Sequence, residues 1–239
     1  MEPTSRTWLP SRAAVTALAF LALVGPELSA GNVQPDPGTP PTSGAIPLTD
    51  QAGPLVLVNK QHPLEPLGYV PADLRRPAVR LAAPGGDEVL NSMTAAAAEA
   101  MFAAAEADGV TITLVSGYRS YATQAQVRDG YITALGLPAA EAVSAPPGHS
   151  EHQTGSAMDI GDGSGGCSLA GCFADQPAAV WAATNAHRFG FIVRYPDGAQ
   201  AITGYDYEPW HLRFVGIEAA TDIFSRGITL EEFLGGMHP

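Results

Sequence analysis

Two short runs, Ser150-Glu-His-Gln-Thr-Gly-Ser-Ala-Met-Asp159 and Glu208-Pro-Trp-His211, restrict the fold more than any other part of the chain. His152 and Asp159 are seven residues apart with Gly155 between them, so one regular strand cannot present both on the same face. A turn at Thr154-Gly155 followed by a strand brings both to one point. His211 lies about fifty positions further on, in a segment that also reads as partly strand. If the three side chains share a cation, a turn and two separate strands must be neighbours in space.

Two imidazoles and one carboxylate are the donor set of a catalytic zinc, which keeps an open position for water. Glu208, three residues before His211, supplies a carboxylate that need not be a ligand and can take a proton from that water. For an isolated His-x(6)-Asp, the plain alternative is a loop histidine and a strand-end aspartate, each merely hydrogen-bonded. The presence of Glu208 and His211 favours the zinc reading, one ion per chain. For Glu208 the alternative is an ion pair with Arg213, and Trp210 reads as a core or wall residue.

Other histidines fit less well. His149 precedes His152 by three residues, but Pro146-Pro147-Gly148 makes a helix there improbable, which leaves His149 at the rim. His62, His187 and His238 read as surface or packing residues. Ser116-Gly-Tyr-Arg-Ser-Tyr121 follows directly on a predicted strand. Arg119, at that strand's end, suits bidentate contact with a carboxylate or a developing oxyanion, although a structural salt bridge is as common. Gln124, one turn into the next predicted helix, adds a donor.

The ends of the chain have a different composition. Arg6 and Arg12, the apolar stretch Ala13–Gly25 and the small residues Ser29, Ala30 and Gly31 have the layout of a secretory signal peptide over 1–30. Thirteen apolar residues are short of the ~20 a helix needs to span a bilayer, so export with cleavage is preferred to an uncleaved anchor. Residues 31–53, rich in Pro, Gly, Ser and Thr, read as a linker, and 54–239 as the catalytic domain. Cys167 and Cys172 are the only cysteines, and in an exported chain so close a pair reads as a local disulfide pinning a Gly-rich loop. A net charge of −12 disfavours nucleic acid and anionic membrane surfaces as partners.

The patterning predicts strands at 55–58, 110–115, 156–160, 191–195 and 210–215. Helices are predicted over 92–107 with Ser92 as cap, 123–135 closed by Gly136 and Pro138, and 177–189. Two short ones follow at 217–226 and 229–234, the latter opened by a Thr229-x-x-Glu232 capping box. Strands and helices alternate irregularly, which favours an α+β domain over a doubly wound sheet.

Three ordered motifs, Ser116-Gly-Tyr-Arg-Ser-Tyr-x-x-Gln124, Ser150-x-His-x-x-Gly-x-Ala-x-Asp159 and Glu208-Pro-Trp-His211, resemble the signatures of the VanY-type D-alanyl-D-alanine carboxypeptidases. These are zinc peptidases that trim peptidoglycan stem peptides. Leu57-Val-Asn-Lys-Gln-His-Pro-Leu64 is similar to that family's lead-in strand, so the resemblance spans roughly Leu55 to Val215. It implies a small central antiparallel sheet with helices packed against it, of the Hedgehog/D,D-peptidase type. It also implies His152, Asp159 and His211 as ligands, Glu208 as base and Arg119 on the scissile carbonyl. Gln124 and Ser150 fall in the pocket for the substrate's terminal carboxylate. His149 departs from the pattern, where an aromatic residue is expected. The implied protein is an exported monomer acting on peptidoglycan stem peptides or their precursors. On the same ligands an L,D-carboxypeptidase, a D,D-dipeptidase or an endopeptidase could be built, or a non-catalytic wall-binding module.

Overall fold

The computed structural model describes residues 51–83 and 88–235. The expected signal peptide, and the linker apart from residues 51–53, lie outside these residues. In chain order, a two-stranded ladder of β1 (Leu74–Arg75) and β2 (Leu90–Asn91) leads into α1 (Ser92–Ala107). Then come β3 (Ile112–Ser116), α2 (Tyr121–Leu135) and α3 (Leu137–Val143). A 3-10 turn at Glu151–Thr154 opens β4 (Ala157–Asp162), which a cysteine-closed loop connects to α4 (Pro177–Asn185). The chain ends with β5 (Phe191–Val193), α5 (Gln200–Thr203), β6 (His211–Phe214), α6 (Ile217–Arg226) and α7 (Leu230–Gly235). The main sheet has the order β3-β4-β6-β5 with every pairing antiparallel. This is an α+β fold with a small antiparallel sheet and helices packed on it.

Side-chain alternation divides this sheet into a packing face and a polar face. Leu114, Met158, Ile160 and Leu212 are fully buried against α1 and α4. The α1 contribution is a stripe of Ala95, Ala98, Met101, Phe102 and Ala105, spaced as one helical face requires. A smaller cluster joins Ile192 and Val215 to Leu55, α6 and α7. Asp159 and His211 alternate with the core residues and so project from the other face.

Several expectations need correction. Leu55–Val58 is not a strand. The carbonyls of Pro54 and Val56 accept from the Arg213 guanidinium at 3.1 and 2.8 Å, so a side chain takes the place of a neighbouring strand. Asn91 rather than Ser92 caps α1, its Oδ1 accepting from the Thr94 amide at 2.9 Å, and Ser120 starts α2 two residues early. Gly136 does end α2, but Pro138 sits in the first turn of α3, where its missing N–H costs nothing. The helix predicted over 177–189 changes to 3-10 geometry after Asn185. The Thr229/Glu232 box forms reciprocally, at 2.8 and 3.2 Å.

Gly155 is the hinge of the design. Its φ of +68° turns the chain from the 3-10 turn into β4, and a Cβ there would lie 2.9 Å from the Asn91 amide nitrogen. That amide donates to the Gly155 carbonyl at 3.0 Å, while the Asn91 side chain reaches the Ser156 hydroxyl at 2.8 Å. Gly155→Ala is therefore expected to destabilise the protein by at least ~2 kcal/mol, from the left-handed backbone and the clash together. Thermal unfolding of the zinc-free protein measures this, and an unchanged midpoint contradicts it.

Candidate metal centre

Asp159 on β4 and His211 on β6 are direct cross-strand partners, which brings their side chains to one place on the polar face. Ser116 of β3 faces Asp159 from the other side, beyond a local register irregularity. The 3-10 turn adds His152, whose carbonyl accepts from the Arg119 amide at 3.2 Å. His152 Nε2 lies 3.4 Å from one Asp159 oxygen, and His211 Nδ1 lies 3.1 Å from the other. All three residues are buried, and each offers one ligand atom within 4.8 Å of the others.

The outer contacts orient both rings. His152 Nδ1 sits 2.7 Å from the Gly117 carbonyl, which makes it the protonated nitrogen and leaves Nε2 facing Asp159. His211 presents Nδ1 to Asp159, and its Nε2 lies 3.4 Å from Glu151 Oε2. Two inward imidazole nitrogens and one carboxylate, each ring held by a partner behind it, fit a zinc ion in donor type and number. Burial raises the Asp159 carboxyl, but the facing histidines outweigh it and hold the group well below the usual carboxylate range. Burial pushes His152 down; for His211 the carboxylates of Asp159 and Glu151 overcome burial and lift it to about 9.

Glu208 stands beside this cluster, one oxygen 4.0 Å from His211 Nδ1, and burial raises its carboxyl to about 7. The Glu208–Arg213 ion pair considered from the sequence is absent among the described residues, because Arg213 is bound to Glu151 at 2.8 Å. Arg119 reaches towards the cluster, 4.0 Å from Asp159, and donates to Gln124 at 3.0 Å and Ser116 at 3.3 Å. Gln124 is buried and its amide is spent on the Ala145 carbonyl at 2.8 Å and the Ser144 hydroxyl at 3.3 Å. It thus holds Arg119 as well as lining the cavity.

The cavity above the cluster measures about 260 Å³ and is lined by all seven site residues expected from the sequence, Ser150 included. Trp210 forms part of its wall. Tyr195 stacks on His211, their ring centroids 4.9 Å apart. His149 bonds instead to the Asn59 carbonyl at 2.9 Å, and His187 stacks on Phe224. His238 lies outside the described residues. Cys167 and Cys172 are joined, their Cα atoms 5.5 Å apart.

One buried charged residue behind the site escaped the sequence analysis. Glu151 is fully buried, and its Oε1 accepts from Arg194 at 2.7 Å and Arg213 at 2.8 Å. Burial would raise its carboxyl, but the two guanidiniums hold it far below the ordinary range. The missed signal was a lone arginine in each of two mostly apolar strand segments, Phe191-Ile-Val-Arg-Tyr and His211-Leu-Arg-Phe-Val. A buried guanidinium requires an anion beside it.

The family model described as VanY, D-alanyl-D-alanine carboxypeptidase, matches residues 87–217. A putative carboxypeptidase of Bacillus subtilis, YodJ, is 42% identical over 181 residues, 75% of this chain. This chain spans 66% of that relative's length, about two thirds. The solved structure of the LdcB LD-carboxypeptidase superposes with a TM-score of 0.71 at 41% identity, covering 76% of this chain and 86% of that one. A mutant of the vancomycin-resistance D,D-pentapeptidase VanY in complex with Zn(II) gives 0.59 at 39%, covering 75% and 98%.

Proposed function

The chain belongs to the VanY family of D-alanyl-D-alanine carboxypeptidases, and on that footing we propose that it is a zinc carboxypeptidase releasing the terminal D-alanine of peptidoglycan stem peptides or their precursors. The observation that carries this reading is the convergence of His152, Asp159 and His211, whose ligand atoms lie within 4.8 Å of one another, beside the spare carboxylate of Glu208. Those three residues would hold the ion, which supplies Lewis acidity for the scissile carbonyl and for a water at neutral pH.

The chain's own groups do the rest. Glu208 accepts a proton from the attacking water as its oxygen bonds to the carbonyl carbon. It then delivers that proton to the amine nitrogen as the C–N bond breaks, so that D-alanine leaves and the peptide keeps a new carboxylate. Arg119, braced by Gln124 and Ser116, stabilises the oxyanion. Ser150 and Gln124 border the pocket for the terminal carboxylate. Arg119→Ala is expected to lower kcat by about 10²–10³ with zinc content retained. Steady-state kinetics on metal-quantified protein measures this, and a change confined to KM would remove the oxyanion role.

The assay for the whole reading is D-alanine release from acyl peptides ending in D-Ala-D-Ala. No release by the zinc-loaded protein across several stem peptides defeats it. The similarity to LdcB favours a second reading, cleavage of an L,D bond. Mass spectrometry of digested muropeptides separates the two by product. The protein acts as an exported monomer, with residues 1–30 removed as a signal peptide and 31–53 as linker to a catalytic domain over 54–239. The disulfide and the extracytoplasmic substrate support that location. The net charge of −12 sets nucleic acid aside as a partner. No helix among the described residues is long and apolar enough to cross a membrane.

A further inference from the structure

The loop between β4 and α4 does more than connect them. Its Leu169 is 44% exposed and lines the same cavity as the metal cluster. To the same cavity α2 presents Val127, Tyr131 and Leu135, spaced four apart and therefore on one helical face. Tyr131 and Leu135 are 39% and 53% exposed, so this apolar wall has no core to bury it. The residues assigned to catalysis handle the scissile bond and the terminal carboxylate, and neither needs an aliphatic wall.

The backbone shows how Leu169 is kept there. Among the described residues, Cys167 and Leu169 are the non-glycine residues with positive φ, at 56° and 52°. Leucine disfavours that region, and the flanking sequence carries Gly163, Gly165, Gly166 and Gly171, which impose nothing on it. The constraint comes from both ends. Cys167 packs against the main core and Phe173 is fully buried in it, while the disulfide closes the segment between them. Ala170 N–H donates to the Cys167 carbonyl at 3.2 Å, and Phe173 N–H to the Ala170 carbonyl at 2.8 Å.

We propose that this cysteine-closed loop is a specificity lip: Leu169, sharing the cavity with the α2 stripe, receives the aliphatic part of the side chain of the substrate residue that precedes the terminal D-Ala-D-Ala. The inference rests on the carboxypeptidase reading and adds to it the part of the substrate that the protein selects by apolar contact. It also makes that selectivity depend on the oxidised state of Cys167 and Cys172, since reduction leaves a glycine-rich loop without its clamp.

The test compares kcat/KM for N-acetyl-Gly-D-Ala-D-Ala and N-acetyl-L-norleucyl-D-Ala-D-Ala on zinc-loaded protein. The wild type is expected to prefer the norleucyl peptide. Leu169→Ala is expected to cut that preference about tenfold through KM, Leu169→Met to keep it, and Cys167→Ser/Cys172→Ser to reduce it with zinc affinity unchanged, because no ligand lies in the loop. A preference ratio untouched by Leu169→Ala, or fully kept in the disulfide-free variant, overturns the proposal. If the wild type releases D-alanine from neither peptide, the activity reading fails on its own. The lip is then judged by equilibrium binding of the two peptides, where equal loss or no loss of both in Leu169→Ala overturns it.

Discussion

Replacing Glu208 by glutamine is expected to lower kcat by about 10³ while zinc stays bound with unaltered stoichiometry. The isosteric amide keeps the shape of the wall but cannot take a proton from water or return one to the leaving amine. Its carboxylate is suited to the task because burial has already raised it to about 7, with a facing Asp159 adding to the effect and His211 and Arg119 opposing it. A bound dication would lower that value, so the acid limb of the kcat/KM profile belongs below pH 7. The base must be ionised, so activity falls as pH drops through the limb. In Glu208→Gln the residual rate should lose this limb. Metal analysis together with a pH–rate profile checks both statements, and a fully active variant, or one retaining the same limb, removes Glu208 as the base.

The site was legible in the sequence because its chemistry is concentrated in short runs. A turn signal at Gly155 and a strand pattern through Asp159 allow His152 and Asp159 to meet, the Glu208-to-His211 run favours that reading, and the strand at His211 does pair with the strand of Asp159. The α+β class could be anticipated because the strands are bounded by turn residues and alternate irregularly with helices, whereas the antiparallel arrangement of the sheet was implied only by the resemblance to the family. What could not be read depends on side chains acting over long sequence distances. Leu55–Val58 has strand composition, yet its carbonyls are claimed by Arg213, 157 residues from Val56. Asn91 looks like any polar residue before a helix, but it also ties the Thr154–Ser156 turn in place from more than sixty residues away. Nothing local distinguishes Leu137–Val143 from a loop, because a proline after a glycine marks either a helix end or a fresh start.

Glu151 shows how such distant contacts bear on the metal. With Arg194, Arg213 and Glu231 it forms a set of two anions and two cations, in which Arg194 also holds Glu231 of α7 at 2.6 and 2.9 Å. The two guanidiniums and Glu151 are fully buried, whereas the Glu231 side chain is 15% exposed. Glu151→Leu removes the anion common to both arginines and is expected to destabilise the zinc-free protein by about 3–5 kcal/mol, the cost of stranding buried charge. Glu231→Gln is expected to cost less, because Glu151 still faces Arg194 and water reaches the other end. The second consequence concerns His211. With Glu151 gone, its Nε2–H has no acceptor behind it, so zinc affinity is expected to fall about 10–100-fold. Glu151→Gln, which retains an oxygen at that position, should recover part of the affinity even though it leaves the arginines underpaired. Urea unfolding of the metal-free protein reads the first effect and chelator competition the second. If Glu151→Leu unfolds more easily yet binds zinc as tightly as the wild type, Glu151 serves the fold alone and His211 is oriented by Asp159 and the stacked Tyr195 ring.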